Sequence, residues 1–283
     1  IDVLVMTATP IPRTMSMTIY GDLDVSIIDE LPANRQPIVT RKVNVNKLDR
    51  VYEFIGEQLK AGRQCYVVYP LIEESEKMDL QAASQGYEYL QKVFNDFQLG
   101  LLHGRMSRDE KEAVMKQFEA GEIQMLVSTT VIEVGIDVPN VTIMLIENAE
   151  RFGLTQLHQL RGRVGRGEHK SYCILVNRSK GGEESSTAEQ RLSIMVETSN
   201  GFKIADEDLK LRGPGEIFGT KQSGFPDLKI ADFVEDQDIL RLARKAAFEV
   251  VNEDPYLKTD SNKKLKEHFV SRYREQWELS QIS

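Results

Sequence analysis

The sequence predicts an α/β fold: a parallel sheet with helices on both faces, followed by a mainly helical C-terminal region. Three observations lead there. Short apolar runs at 38–45, 64–70, 98–103, 124–129, 141–146 and 171–177 alternate with longer helical stretches at 47–61, 78–95, 107–120 and 154–163. Such alternation over some 140 residues implies strands joined by crossover helices, hence a parallel sheet covered on both sides. The composition then changes after Arg178, where a polar loop opens a segment with helical patterns at 187–198, 236–252 and 261–279.

Each element has a local reason. Asp2-Val3-Leu4-Val5-Met6 is an apolar strand with nothing before it, so the N-terminus reads as a cut through a larger architecture. Residues 21–38 hold Gly21, Pro32, Asn34 and Pro37 and read as a connector. Val51, Phe54, Ile55, Gln58 and Leu59 have the three-four spacing of a helix with one buried face. Ser107 and Glu110 form a capping box that starts the helix at 107–120. Residues 212–226 are rich in glycine and separate the later helices, and Asp206-Glu207-Asp208 reads as a solvated helical face.

Composition excludes several classes. At 41% hydrophobic and 28% charged, the 283 residues resemble an ordinary globular protein of about two domains. No apolar run approaches the roughly 18 residues of a membrane span, which points to a cytoplasmic protein with no membrane partner. Cys65 and Cys173 each lie in an apolar run and read as small core residues. The four histidines have no cysteine or acidic partners at ligand spacing, so no metal site is expected. A net charge of −8 gives no global sign of nucleic acid, although a local basic track would suffice for binding it.

Three segments carry chemistry. In Gln156-Leu157-His158-Gln159-Leu160-Arg161-Gly162-Arg163-Val164-Gly165-Arg166-Gly167, three arginines are separated by glycines. Glycine lets backbone approach a ligand, and arginine suits bidentate phosphate binding. Ser128-Thr129-Thr130-Val131-Ile132-Glu133-Val134-Gly135-Ile136-Asp137 places hydroxyls, a glycine and an acid at the carboxyl end of a strand, where open α/β sheets bind ligands. Asp137 suits a ribose hydroxyl, and Thr129 and Thr130 suit phosphates. His103-Gly104-Arg105-Met106 lies at another strand end.

Together with Thr7-Ala8-Thr9-Pro10, these segments resemble motifs of the superfamily 2 helicases, so the sheet is expected to be RecA-like. Within the superfamily the resemblance is to the RecG family of DNA helicases, through Ile72-Glu73-Glu74-Ser75-Glu76 and Leu211-Arg212-Gly213-Pro214-Gly215-Glu216, while Ala8 to Thr14 and Gln156 to Arg163 are shared with Mfd. The resemblance implies the end of a first motor lobe at 1–20, a connector at 21–37, a second lobe at 38–182, and a translocation motif with C-terminal helices at 183–283. It assigns Gln159, Arg163 and Arg166 to catalysis, the two arginines as fingers on the γ-phosphate. Gly135 and Asp137 would contact ATP; His103, Gly104, Thr129 and Thr130 would contact nucleic acid. Thr7, Thr9, Arg191, Arg212 and Gln222 would couple hydrolysis to movement, although Arg212 alone would equally suit a cation at a helix end. The implied cofactors are ATP and Mg²⁺, held mainly by the first lobe. The implied partners are branched DNA (forks and Holliday junctions), that lobe, and an N-terminal wedge domain.

No Gly-x-x-x-x-Gly-Lys-Ser/Thr loop occurs, nor an Asp-Glu-x-His or Asp-Glu-x-Asp after a buried strand. The chain is therefore expected to be inactive alone. Two alternatives remain open at this level: an Mfd-like double-stranded DNA translocase, and a non-catalytic binding module built on a RecA-like lobe.

Overall fold

The computed structural model describes residues 36–70, 76–129, 138–179, 183–212 and 236–280, together with residues 4, 6, 26, 28 and 30. The expectations for Thr7, Thr9, Thr130, Gly135, Asp137 and Gln222 lie outside the described residues, as does the connector's fold.

Six strands form one sheet: β1 (Ile38–Asn44), β2 (Gln64–Val68), β3 (Leu99–Leu102), β4 (Met125–Ser128), β5 (Val141–Ile146) and β6 (Ser171–Asn177). Their order is β1-β6-β5-β2-β4-β3, and every pair is parallel. The crossovers include α1 (Leu48–Lys60), α2 (Glu76–Val93), α3 (Arg108–Glu119) and α4 (Leu154–Arg161), of which α3 and α4 connect neighbouring strands. All six strands and all four helices coincide with the segments expected from periodicity.

The sheet is buried on both faces, and the period-two alternation of its strands sorts the core. Cys65, Val67, Met125, Val127, Ile143, Leu145, Ile174 and Val176 pack with Val51, Ile55 and Leu59 of α1 and Leu90 of α2. Tyr66, Val68, Leu126, Met144, Ile146, Cys173 and Leu175 face the opposite way, onto Met115 and Phe118 of α3 and Leu154, Leu157 and Leu160 of α4. Both cysteines are fully buried and unpaired, and burial pushes the Cys173 thiol up to about 12. They are core residues at neutral pH.

The chain divides into two compact units, Ile1–Gln222 and Ser223–Ser283. In the first, α5 (Glu183–Glu197) and α6 (Gly201–Arg212) form a hairpin that adds Leu192, Met195 and Ile204 to the core beneath α4. The change in composition after Arg178 is thus not a break in packing. One expectation is corrected here: Asp208 is buried, not solvated. Ile204, Ala205, Asp208 and Leu209 share the three-four face of α6 that turns inward, so helix phase overrides residue polarity. Lys42 of β1 bonds Glu189 and, at 3.2 Å, Ser193, which ties α5 to the sheet edge.

In the second unit α7 (Gln237–Glu253) and α8 (Lys263–Ser280) are joined by a turn built on Asp254. Its carboxylate accepts from the Lys258 and Thr259 backbone N–H groups at 2.7 and 2.8 Å, and from the Thr259 hydroxyl and Asn262 amide. Those donors hold the Asp254 carboxyl well below the usual range. No helix among the described residues is long and apolar enough to cross a membrane.

Candidate nucleotide and nucleic-acid sites

The arginine-glycine segment is the end of α4 and the turn that follows. Gly153 opens the helix with its N–H donating to the Gln156 side chain, and Leu154, Leu157 and Leu160 fix its buried face. Gly162 ends it, its N–H donating to the His158 carbonyl at 3.0 Å. Arg163 and Val164 then donate to the carbonyls of Leu160 and Arg161, and Val164 is fully buried. Gly165 has φ +76° and lies so close to Ile38 that a Cβ would meet it at 2.8 Å. Only glycine fits that conformation and that space. A Cβ on Gly167 would meet the Pro139 carbonyl oxygen at 2.5 Å.

The backbone of the turn is therefore locked against the start of β1 and the segment before β5. From it Gln159 and Arg163 emerge half-buried and Arg166 exposed, with Arg166 Nε 3.3 Å from the Gly162 carbonyl. Arg161 departs from this group. It is only 3% exposed and its guanidinium donates into the molecule, to the carbonyls of Met195 and Thr198.

His103 and Thr129 lie elsewhere. Leu102 and Ser128 are paired across β3 and β4, so the residues after them stand side by side at the strands' carboxyl ends. Thr129 N–H donates to the Leu102 carbonyl, while His103 Nδ1 and Thr129 Oγ1 are buried with no hydrogen-bond partner among the described residues. Most buried polar groups in proteins are paired, so two such atoms at adjacent strand ends suit a further partner. Gly104 is exposed, and its carbonyl accepts from Lys111 Nζ. The arginine turn thus packs at the amino ends of the strands and the His103–Thr129 pair sits at the carboxyl ends. The two segments therefore lie at opposite ends of the sheet's strands.

Burial, then the charges of Lys111 and Arg105, lower the His103 pKa below its ordinary value of 6.5, against a smaller opposing effect of Glu110. His103 is neutral at pH 7 and offers a hydrogen bond, not a charge. The folded form binds fewer protons than the unfolded chain below pH 6.5, so this group removes stability as the pH falls through that window. The drop in Tm between about pH 7.5 and 5.5 is expected to be smaller in His103→Asn than in the parent. Equal drops, measured by circular dichroism, would overturn the assignment.

Of the residues expected to couple hydrolysis to movement, Arg191 donates from Nη1 to the Phe152 carbonyl at 3.3 Å, just before α4, and its buried Nε has no partner among the described residues. Arg212 is the last residue of α6. Sequence reasoning missed a further pair. Glu147, 1% exposed after β5, accepts from Arg178 Nε after β6 at 2.8 Å, and Arg178 N–H donates to Glu150. The signal was present: each charge follows closely on an apolar strand. Among the described residues no group of three or more side chains could hold a metal ion.

Two family models match. Residues 46–168 match the helicase conserved C-terminal domain, and residues 198–283 match the C-terminal part of domain 3 of the ATP-dependent DNA helicase RecG. The chain is 55% identical over 272 residues to the ATP-dependent DNA helicase RecG of Synechocystis, covering 96% of this chain and 32% of that protein. It is 53% identical over 258 residues to that of Bacillus subtilis, covering 91% and 37%. A solved structure of RecG bound to a three-way DNA junction matches at 50% identity and TM-score 0.66, over 85% of this chain and 30% of that one. The chain spans about a third of the length of these relatives.

Proposed function

The chain belongs to the RecG family, corresponding to its C-terminal part, and on that premise we propose that it is the second motor lobe of an ATP-dependent DNA helicase acting on branched DNA. In this reading residues 1–20 close a first lobe, 38–182 form the second, and 183–283 hold the translocation motif and C-terminal helices. The whole protein migrates Holliday junctions and regresses stalled forks in the cytoplasm. The observation that carries the reading is the separation of two candidate sites on one lobe. A locked arginine turn stands at one end of the sheet, and buried polar atoms with no partner among the described residues stand at the other. A motor must hold its nucleotide and its track at once, and two ends of one rigid sheet allow that.

Arg163 and Arg166 place guanidiniums toward the γ-phosphate of ATP, and Gln159 supports them from the last turn of α4. Their fixed donors suit charge that develops during phosphoryl transfer. Gly135 and Asp137 contact the nucleotide. ATP with Mg²⁺ supplies the bond whose hydrolysis drives the motor, and the upstream lobe holds most of both. His103, Gly104, Thr129 and Thr130 contact the DNA backbone through hydrogen bonds, which position a protein without reading sequence. Thr7, Thr9, Arg191, Arg212 and Gln222 link nucleotide state to movement. The relatives lend no support to the Mfd-like alternative.

The full-length protein is expected to hydrolyse ATP when three-way junction DNA is added, and purified residues 1–283 are expected not to. The chain contains neither the phosphate loop nor the acidic metal pair. Junction-stimulated turnover by the isolated chain, surviving contaminant controls, would sink the assignment of roles. A full-length protein inert with every branched DNA would sink the helicase reading itself.

A further inference from the structure

A groove of about 510 Å³ lies between α1 and the end of α2, on the side of the sheet opposite α3 and α4. Its floor is aromatic. The Tyr52 ring stands 6.1 Å from that of Tyr89 and 5.9 Å, edge to face, from that of Phe94. Tyr52 and Phe94 are buried, whereas Tyr89 is 52% exposed and Val93, on the groove wall, 38%. The rim is acidic. Asp49, Glu53 and Glu57 follow one another along α1 at four-residue intervals, and Asp96 lines the groove from the segment after α2. None of these four carboxylates has an ion pair or a side-chain hydrogen bond among the described residues. Lys60 is the one cation of the lining.

Two features of α1 here work against the helix itself. Like charges four residues apart repel along one face. Gly56 stands in the middle of the same helix, where glycine is less stable than alanine. Its φ is not positive, and a Cβ there would meet only the Phe94 ring, at 3.9 Å, an ordinary contact. The fold does not require glycine at this position. What the missing side chain provides is open access to the aromatic floor. Local rules broken twice on one face, with no packing reason, mark a surface kept for a partner.

We propose that this groove is a docking site for an arginine-bearing segment of a protein partner. Rim and floor select the same group, since a guanidinium pairs with carboxylates through its planar fork and stacks on aromatic rings. The arginine stem and a neighbouring apolar side chain cover Tyr89 and Val93. Nucleic acid does not suit the groove, because four carboxylates repel its phosphates. A metal ion does not suit it either, as no group of three or more ligating side chains occurs among the described residues. The arginine turn packs with the opposite core, so a docked segment leaves it uncovered, and the inference stands apart from the motor reading.

The test follows the fluorescence anisotropy of a fluorescein-labelled peptide of alternating arginine and leucine, titrated with the full-length protein. Saturable binding is expected, and the same peptide with glutamine in place of arginine should bind roughly tenfold more weakly. Gly56→Leu, which fills the groove over Phe94, and Glu53→Lys, which reverses one rim charge, should each weaken the arginine peptide by roughly tenfold. Neither should lower Tm, because leucine suits a helix better than glycine and Glu53 is exposed. Glu119→Lys makes the same change of net charge at an exposed position on α3 and should bind like the parent. Equal weakening in Glu53→Lys and Glu119→Lys would reduce the effect to net charge and overturn the proposal, as would unchanged binding in Gly56→Leu. A parent protein that shows no saturable binding overturns it too, the groove then being covered by the rest of the protein or suited to no cation.

Discussion

Replacing Arg166 or Arg163 by alanine in the full-length protein is expected to lower junction-stimulated kcat by ~10³-fold, with far less change in KM for ATP. An arginine at a transferring phosphoryl group is worth ~10³–10⁵ in rate because it meets charge that grows only in the transition state. Interactions made mainly there lower kcat when removed, whereas uniform binding contacts raise KM. The local geometry makes these substitutions interpretable. The turn is held by backbone bonds, by the buried Val164 side chain, and by close contact of Gly165 with Ile38 and Gly167 with Pro139. Truncating either side chain therefore removes a guanidinium without releasing the backbone. Arg→Lys should recover only part of the rate, since it keeps a charge and loses the fork. Steady-state hydrolysis at saturating ATP and junction is the measurement. A kcat equal to the parent's in both alanine variants would falsify the finger assignment, whatever happened to KM.

Arg178→Ala is expected to produce the largest loss of stability among these substitutions. The Glu147 side chain is 2% exposed and the Arg178 side chain 36%, with 2.8 Å between Oε2 and Nε. Removing the cation strands a buried carboxylate, and breaking a buried pair in this way costs about 3–5 kcal/mol. Solvent screening on the Arg178 side lowers that expectation to about 2–3 kcal/mol. The Arg178 guanidinium is held above its ordinary pKa by its hydrogen bond to Glu147, so the cation persists throughout the neutral range. Beside it, burial first and Glu147 second push the Tyr52 and Tyr69 hydroxyls above the usual phenol range, which keeps both neutral and able to donate. For a unit of this size the loss corresponds to a drop in Tm of roughly 5–10 °C, read by calorimetry. Replacing both partners at once, as Glu147→Leu with Arg178→Met, should recover much of it, because no unpaired charge then remains buried. A single variant that melts with the parent would show that the pair contributes nothing to stability.

Most of the strand and helix plan was legible in the sequence because it depends on local rules. Period-two and three-four spacing, the Ser107–Glu110 box and the breaks at glycine act within a few residues, and each strand expected between 38 and 177 is present. The Ser107 N–H donating to the Glu110 carboxylate at 2.7 Å is one such rule seen in atoms. The close packing of the arginine-glycine turn was also legible, since its glycines suit a backbone that must approach its neighbours closely.

Residue order along the chain was enough to specify the parallel α/β architecture and the chemical character of the arginine turn. What each charge does was settled only by packing. Arg161, Arg163 and Arg166 look alike in the sequence, yet Arg161 is buried against the end of α5 while Arg166 is exposed. Asp208 sits among acids and is buried, and Glu147 and Arg178, 31 positions apart, form one ion pair. The difference is one of range: backbone propensity is set by neighbours along the chain, whereas the fate of a charge depends on desolvation and on partners brought close only when the sheet has formed.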